Sequence, residues 1–506
     1  MKMKDKIIGY LKNYRFWILL IVLILTFLLV YTPHYNYDFA LHADEWHHIE
    51  EARNLLNGNY DFSSVSAFEI GYHSFLAILS GVGFNLVLVY KLLPAIFAVL
   101  SSLALFFLVF YTTKSYFSSL FSIIFFASLP SNVNLLGLWF AIPLTISISL
   151  VYFSFLFLSR GIEQNNKRYL WIFVTLFFIL TIIHAISAFF VFIISFLYLL
   201  LCYKRGKISK DKLKTLLFIP LILILVTITF IFLSGKNTGW FLSQLMFQDK
   251  WSPLNLGVNT NPITFSLSGV NILVSQYFLP LLFGTISFIL VIIGLYLSVK
   301  KENLNLFAIW FFYCIFMEFL FVTFNISPFV SYQRILYYSL MVLCPLAGIG
   351  LVEAIRFIKI KLPQKRIATL LFILVLIFIV FFFAFYNYGH QRAGTELYYL
   401  INSQDYENII LLGKSLNNKL ILAPIEVSTV IPAITNNRVL STIYFTGNDQ
   451  IREDIKQFFF SNCSVKQEIA SQYGVDYVYS LESIDCLSFK ERYSGKFFLY
   501  LFNNQV

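Results

Sequence analysis

Along this chain, long apolar runs alternate with short polar clusters, and most runs are too long to be core strands or helices of a soluble domain. A hydrocarbon layer of about 30 Å is crossed by roughly 20 apolar residues in helix. On that measure about eleven spans are predicted, near residues 16–31, 87–113, 116–130, 139–159, 169–183, 185–203, 215–234, 272–298, 305–325, 335–355 and 367–387. No charged residue lies between Lys114 and Arg160, which leaves room for two spans around Pro130-Ser131-Asn132. A second charge-free run, from Arg168 to Lys204, is interrupted by His184 and reads as two short spans with a turn there. The apolar stretch Ile70–Val89 reads as an interfacial or re-entrant helix, because a full span would invert everything after it. Beyond Tyr388 the pattern becomes that of a soluble α/β module. Leu420–Ala423, Val439–Thr442, Val475–Tyr479 and Phe497–Phe502 are predicted strands, and 448–460 and 464–473 amphipathic helices, with Gly474 as a C-cap.

Composition and charge give this pattern a direction. Hydrophobic residues make up 58% of 506 positions and charged residues 12%, about half the ~25% of a soluble chain. The net charge of +11 is not spread over one face, as a nucleic-acid surface would require. It falls in blocks: Lys2 to Arg15, Lys114, Arg160 to Arg168, Lys204 to Lys214, Lys300-Lys301 and Arg356 to Arg366. Read as cytoplasmic, these blocks hold 22 Lys and Arg, against four (Arg53, Lys236, Lys250 and Arg334) in the opposite loops before the C-terminal domain. The expectation is a multi-pass α-helical cell-membrane protein with its N-terminus cytoplasmic. Its first helix is retained, since no small-residue cleavage site follows it. The membrane domain is 1–387 with an extracytoplasmic loop at 32–86, and an extracytoplasmic α/β domain occupies 388–506. Cys463 and Cys486 share that domain, where a disulfide is permitted. Spacing leaves open whether they pair.

The first external loop carries the candidate chemistry. Between Asp38 and Glu69 it holds seven acids and one base, Arg53, and five of the seven histidines (His34, His42, His47, His48 and His73) lie in or beside it. Avoidance of Lys and Arg outside explains an acidic loop but not the histidines. Asp44 to Leu56 is a predicted helix with Asp44 as cap and Gly58 at its stop. Trp46, Ile49, Ala52 and Leu56 form an apolar stripe suited to a membrane surface. Asp44 shares a face with His48, and His47 with Glu51. A carboxylate at a helix start is, in itself, most simply a cap. Glu318, inside the ninth span, is expected to pair with Lys91 or Arg334.

The run Ala43-Asp44-Glu45-Trp46-His47-His48-Ile49, followed by Ala52-Arg53-Asn54-Leu55-Leu56, resembles the first external loop of GT-C class glycosyltransferases. These membrane enzymes use polyprenyl-phosphate-linked sugars and include the protein mannosyltransferase and aminoarabinose transferase types. Further resemblance lies in Gly71-Tyr72-His73, in His184-Ala185-Ile186-Ser187, and in Arg334 followed by Ile335-Leu336-Tyr337-Tyr338. In the tail it lies in Ala423-Pro424 and Tyr473-Gly474-Val475-Asp476-Tyr477-Val478-Tyr479. The resemblance implies transfer of a sugar from a polyprenyl (dolichyl) phosphate to an extracytoplasmic glycan, lipid or protein. Asp44 would be general base and Glu45 its catalytic neighbour. His47, His48, Glu69 and His73 would bind substrate, and Arg334 and His184 the donor phosphate. The Trp-Trp-Asp-Tyr-Gly signature of oligosaccharyltransferases is absent, and Pro130 to Ala141 contains no acid. The metal ligands are therefore unknown and a divalent metal is left open; no cofactor and no nucleic acid is expected. A transporter or flippase of lipid-linked glycans is the rival reading, favoured by span count and Glu318. A surface-polysaccharide ligase shares the donor chemistry. Arg334 also fits simple snorkelling among Tyr332, Tyr337 and Tyr338.

Overall fold

The computed structural model describes residues 14–62, 69–129, 137–233, 263–267, 270–274, 279–324, 330, 332–361, 366–390, 400–443, 449–494 and 497–502. The basic block up to Lys12, the turn at Pro130-Ser131-Asn132, and Lys236 and Lys250 lie outside the described residues. Helices α1 (Tyr14–Tyr31), α2 (Ala43–Leu56), α3 (Ile70–Gly81), α4 (Leu86–Thr113) and α5 (Tyr116–Ala127) come first. Next are α6 (Pro143–Glu163), α7 (Lys167–Ile183), α8 (Ala185–Lys204) and α9 (Lys210–Leu233). An antiparallel ladder of β1 (Ile263–Leu267) and β2 (Val270–Val274) precedes α10 (Leu279–Phe283), α11 (Thr285–Lys300), α12 (Asn305–Phe324), α13 (Tyr332–Lys361) and α14 (Arg366–His390). The C-terminal part runs α15 (Ser403–Ser415), β3 (Leu420–Leu422), α16 (Ile425–Ile434), β4 (Arg438–Val439), α17 (Asp449–Phe460), α18 (Cys463–Gln472), β5 (Tyr477–Ser480), β6 (Phe489–Ser494) and β7 (Phe498–Phe502).

Among the described residues, six helices are long and apolar enough to cross a membrane: Tyr14–His34, Leu86–Thr113, Pro143–Glu163, Ala185–Lys204, Glu302–Phe321 and Arg334–Ile360. This is a membrane protein. Three sequence expectations have direct structural counterparts. The run 168–204 breaks at His184, whose backbone leaves the helical region. The stretch from Ile70 divides, since α3 has 12 residues, about 18 Å at 1.5 Å per residue, and Gly83 at φ +101° turns the chain before α4. The third is Gly474, which ends α18 at φ +62°. The span expected at 272–298 is not one helix. Gly284, at φ +91°, interrupts it so that α11 starts at Thr285.

The chain forms two compact units. The first holds Met1–Thr32, Phe62–Tyr72 and Leu93–Gly394, the second Pro33–Asp61, His73–Leu92 and Thr395–Val506.

In the first unit α13 is the hub and packs against α5, α11, α12 and α14. A Cβ added to Gly294 of α11 would collide with the Leu346 carbonyl, and one added to Gly350 of α13 with that of Leu290. Such backbone-to-backbone approach is how helices adhere where water exclusion gives no drive. Polar tips are satisfied on the hub, with Tyr152 Oη donating to the Met341 carbonyl (2.9 Å) and Trp310 Nε1 to that of Tyr338 (3.0 Å). Glu318 takes a hydrogen bond from Ser339 Oγ at 2.5 Å. This serine, one helix away, stands where the sequence suggested a cation. Large apolar side chains such as Leu371, Phe372 and Phe378 on α14 remain exposed, which fits lipid as their solvent.

In the second unit a five-stranded sheet has the order β4-β3-β5-β7-β6. β3 pairs parallel with β4 and β5, while β7 runs antiparallel to β5 and β6. Parallel neighbours need crossovers, which α16 supplies for β3–β4, and α17 and α18 before β5. Leu422, Phe458, Ile469, Val478 and Tyr500 form the core, and a disulfide joins Cys463 to Cys486. The sequence reading missed β6, whose charged Phe489–Ser494 run suits an edge strand. It also missed α16, whose β-branched Ile425–Ile434 run reads as strand until tertiary packing overrides propensity.

Candidate functional site

Helix α2 is capped by His42, not by Asp44 as the sequence suggested. The His42 side chain accepts the Asp44 amide at Nδ1 (3.1 Å), and Glu45 Oε2 accepts the amides of Leu41 (2.8 Å) and His42 (3.2 Å). Together these form a capping box. Two adjacent carboxylates thus have different surroundings. Glu45 is fully buried and held by backbone amides, whereas Asp44 keeps 23% of its side chain exposed in the helix's first turn. The N-terminal end of a helix favours that negative charge. Asp44 Oδ2 lies 3.6 Å from His42 Nδ1. That nitrogen accepts an amide proton, so the approach is not an ion pair.

The apolar stripe of α2 also differs from expectation. Trp46, Ile49 and Ala52 are buried, and only Leu56 is exposed. Trp46 and Phe39 pack against Tyr406 with ring centroids 6.4 and 5.0 Å away, and α16 covers the helix. The stripe is therefore part of a protein core, because the C-terminal segment supplies the apolar partner that a membrane surface was expected to supply. Arg53 joins the same elements through Nη1 to the Ala433 carbonyl and Nη2 to Asn436 Oδ1, both at 2.8 Å. Lys91 pairs with Asp38 at 2.6 Å.

Two histidines from separate helices meet beneath α2. His48 Nδ1 lies 3.0 Å from His73 Nε2, and Tyr60 Oη lies 2.8 Å from His73 Nδ1. All three side chains are buried. Burial first, and the neighbouring His47 second, push the His73 imidazole down to about 3. Burial likewise lowers His47, opposed by the charge of Asp44. Glu50, on the same helix, is pushed up to about 7 by burial and by Glu51, against the pull of Arg53. Asp44, Glu45, His47, His48 and His73 are thus gathered in one unit. Tyr60 is the member that no sequence pattern singles out, since a lone tyrosine in Gly58-Asn59-Tyr60-Asp61 carries none. Glu69, half-buried, lies immediately before α3.

The other unit holds the second set. His184 caps α8, with Nδ1 accepting the Ser187 amide (3.3 Å) and lying 2.7 Å from Ser187 Oγ. That hydroxyl is 2.7 Å from Tyr338 Oη. Burial, then the positive charge of Arg334, drive His184 down to about 3. Its remaining nitrogen, Nε2, carries the proton and is a neutral donor. The motif Gly71-Tyr72 belongs here too. A Cβ on Gly71 would strike the Ile182 carbonyl, and Tyr72 Oη donates to the Ala141 carbonyl at 2.6 Å.

No family model matches this sequence, and no curated protein matches it. Solved structures do. The crystal structure of the Archaeoglobus fulgidus oligosaccharyltransferase in the apo form aligns with 93% of this chain and 70% of its own, at TM-score 0.62 and 13% identity. The same enzyme tethered by a disulfide to an acceptor peptide containing the NVT sequon aligns with 93% and 69%, at TM-score 0.58 and 13% identity. The mycobacterial arabinofuranosyltransferase AftD aligns with 97% of this chain and 40% of its own, at TM-score 0.58 and 12% identity. The chain shares the fold of these GT-C membrane glycosyltransferases.

Proposed function

We propose that this protein is a membrane glycosyltransferase of the hexosyltransferase type. It moves a sugar from a polyprenyl (dolichyl) phosphate to an extracytoplasmic acceptor glycan, lipid or protein, with Asp44 as general base. The fold shared with an oligosaccharyltransferase and an arabinofuranosyltransferase supports the reaction class. One observation carries the choice of base: of two neighbouring carboxylates, Glu45 is enclosed by backbone amides while Asp44 faces out from the same helix turn. Glu45 is then a positioning residue that fixes the helix start. The finer topology belongs to this reading: eleven spans, a cytoplasmic N-terminus, a membrane domain at 1–387 and an extracytoplasmic domain at 388–506. The 22-to-four asymmetry of basic residues supports it.

The chemistry follows from these groups. Polyprenyl phosphate is a good leaving group, so the demands are an acceptor hydroxyl that loses its proton as its oxygen bonds to the anomeric carbon, and a steadied phosphate as the bond from that carbon to it breaks. Asp44 takes the hydroxyl proton, a role worth about 10²–10⁴-fold. Arg334 offers a fixed cation to the phosphate oxygens and neutral His184 an N–H donor. His47, His48, Glu69 and His73 serve substrate binding. The transporter reading drew on an intramembrane charge at Glu318, and its bond from Ser339 gives that residue a local structural role.

The test is sugar transfer from a radiolabelled polyprenyl-linked donor in membranes carrying each variant. Asp44→Asn keeps the size of the side chain but removes its basicity, and is expected to lower transfer by about 10²-fold or more at normal expression. Glu45→Gln, which keeps an oxygen acceptor for the capping box, is expected to cost less. Full transfer by Asp44→Asn would remove Asp44 as base, and abolition by Glu45→Gln alone would reverse the two roles.

A further inference from the structure

In the first unit, the end where α4 and α6 finish and α7 begins gathers cations that the transfer reaction does not use. Arg160 lies in the last turn of α6. Its Cζ stands 4.5 Å from the ring centre of Tyr169 on α7 and 5.3 Å from that of Tyr111 on α4. Rings from two other helices thus fix the guanidinium by cation–π attraction. Its Nε is buried with no hydrogen-bond partner among the described residues. Lys114 Nζ approaches the same Tyr111 ring at 4.1 Å. The Lys114 backbone is at φ +54°, where glycine costs least and a lysine is uncommon. Among the described residues neither cation forms an ion pair with a carboxylate, and Glu163, three positions after Arg160, is exposed. Lys167 and Arg168 add positive charge in the first turn of α7, where the helix dipole disfavours it. Like charges collected at one end repel unless an anion lies among them. Toward the middle of the helices the surface is apolar. Phe157 and Phe153 continue the Arg160 face of α6 at helical spacing, half-buried and stacked at 6.3 Å. Phe107, one turn before Tyr111, is exposed. Both α4 and α6 are long and apolar enough to cross a membrane, so the cations stand at headgroup level and the phenyl rings at the level of acyl chains.

We propose that this end of the bundle binds one anionic phospholipid, with its phosphate on Arg160 and Lys114 and an acyl chain along Phe157, Phe153 and Phe107. A planar guanidinium meets two phosphate oxygens at once, and basic pockets between membrane helices suit such headgroups. Lys167 and Arg168 add attraction for the headgroup. A free phosphate would satisfy the cations and leave the phenyl rings without a partner, whereas a lipid covers both. None of these residues belongs to the proposed donor or acceptor sites, so lipid binding and sugar transfer are tested separately.

Full-length protein, delipidated in a neutral detergent, is titrated with dioleoylphosphatidylglycerol or dioleoylphosphatidylcholine, and bound lipid is counted by native mass spectrometry. The expected result is one phosphatidylglycerol per chain, held more tightly than phosphatidylcholine. Arg160→Gln and Lys114→Gly should each weaken phosphatidylglycerol by about fivefold, the usual worth of one basic residue beside an anionic headgroup. Phe157→Ala should weaken both lipids. Lys359→Gln, which removes an exposed charge on α13, should change neither. Should Arg160→Gln misfold, Lys114→Gly decides in its place, because glycine relieves the positive φ. Equal retention of the two lipids by the unmodified chain overturns the proposal, as does unchanged affinity in Lys114→Gly. An equal loss in Lys359→Gln would mark a diffuse basic surface and overturn the site. Displacement of the lipid by excess inorganic phosphate, with Phe157→Ala unaffected, would assign the cations to a free anion and overturn the lipid.

Discussion

The first turn of α2 and the first turn of α8 solve the same problem with a histidine and come out differently. In both, a histidine caps a helix by accepting an amide at Nδ1. At α8 the hydroxyls of Ser187 and Tyr338 extend the cap into a linear relay among neutral groups, with one cation, Arg334, alongside. At α2 the cap is a box closed by Glu45, and charge crowds behind it: Asp44, Glu50, Glu51 and Arg53 lie within three turns. The α8 end can stabilise an anion and has no side chain able to take a proton at neutral pH. The α2 end presents a part-exposed carboxylate, Asp44, and little fixed positive charge. The two ends thus differ in the kind of charge they carry.

After Asp44, breaking the α8 side is expected to have the largest effect. Arg334→Ala should reduce use of the polyprenyl-linked donor by on the order of 10²-fold, the usual cost of one oxyanion contact. Arg334→Lys should recover only part, because the planar fork is lost. Equal donor kinetics in all three proteins would leave Arg334 as an interfacial anchor. On the α2 side, Asp44 apart, the leading effect is on stability. Arg53→Ala removes two charged hydrogen bonds to α16 and its following turn and should cost about 2 kcal/mol. That cost should appear as a lower Tm in detergent and faster proteolysis within 400–443. An unchanged Tm would mean that α2 and α16 are held by apolar packing alone.

The smallest effect sharpens the contrast in charge. Glu50, at about 7 in the fold against an ordinary 4.5, binds its proton more tightly folded than unfolded. Its penalty on stability is therefore absent below pH 4.5, grows between pH 4.5 and 7, and is complete above 7. Glu50→Gln should raise stability by about 1 kcal/mol at pH 8, after allowance for its partial exposure, and leave it unchanged at pH 4. A pH-independent difference would show that the amide acts through packing.

What the sequence determined by itself is whatever depends on neighbours along the chain. Apolar runs of span length give helices because lipid leaves the backbone no other hydrogen-bond partners. The break at His184, the divided segment after Ile70 and the stop at Gly474 follow from local capping and positive φ. The acidic, histidine-rich loop was legible as the candidate region for the same reason, since composition is a local property. Tertiary structure alone decided which partners the loop residues meet. His48 meets His73 across 25 positions and Arg53 reaches Ala433 across 380, and no periodicity within a segment encodes such a distance. The stripe of α2 could be read as apolar but not as covered, because lipid and a protein core accept the same side chains. Asp44 and Glu45 differ only in which way the helix start turns them, and that orientation is fixed by His42 and the backbone ahead of it.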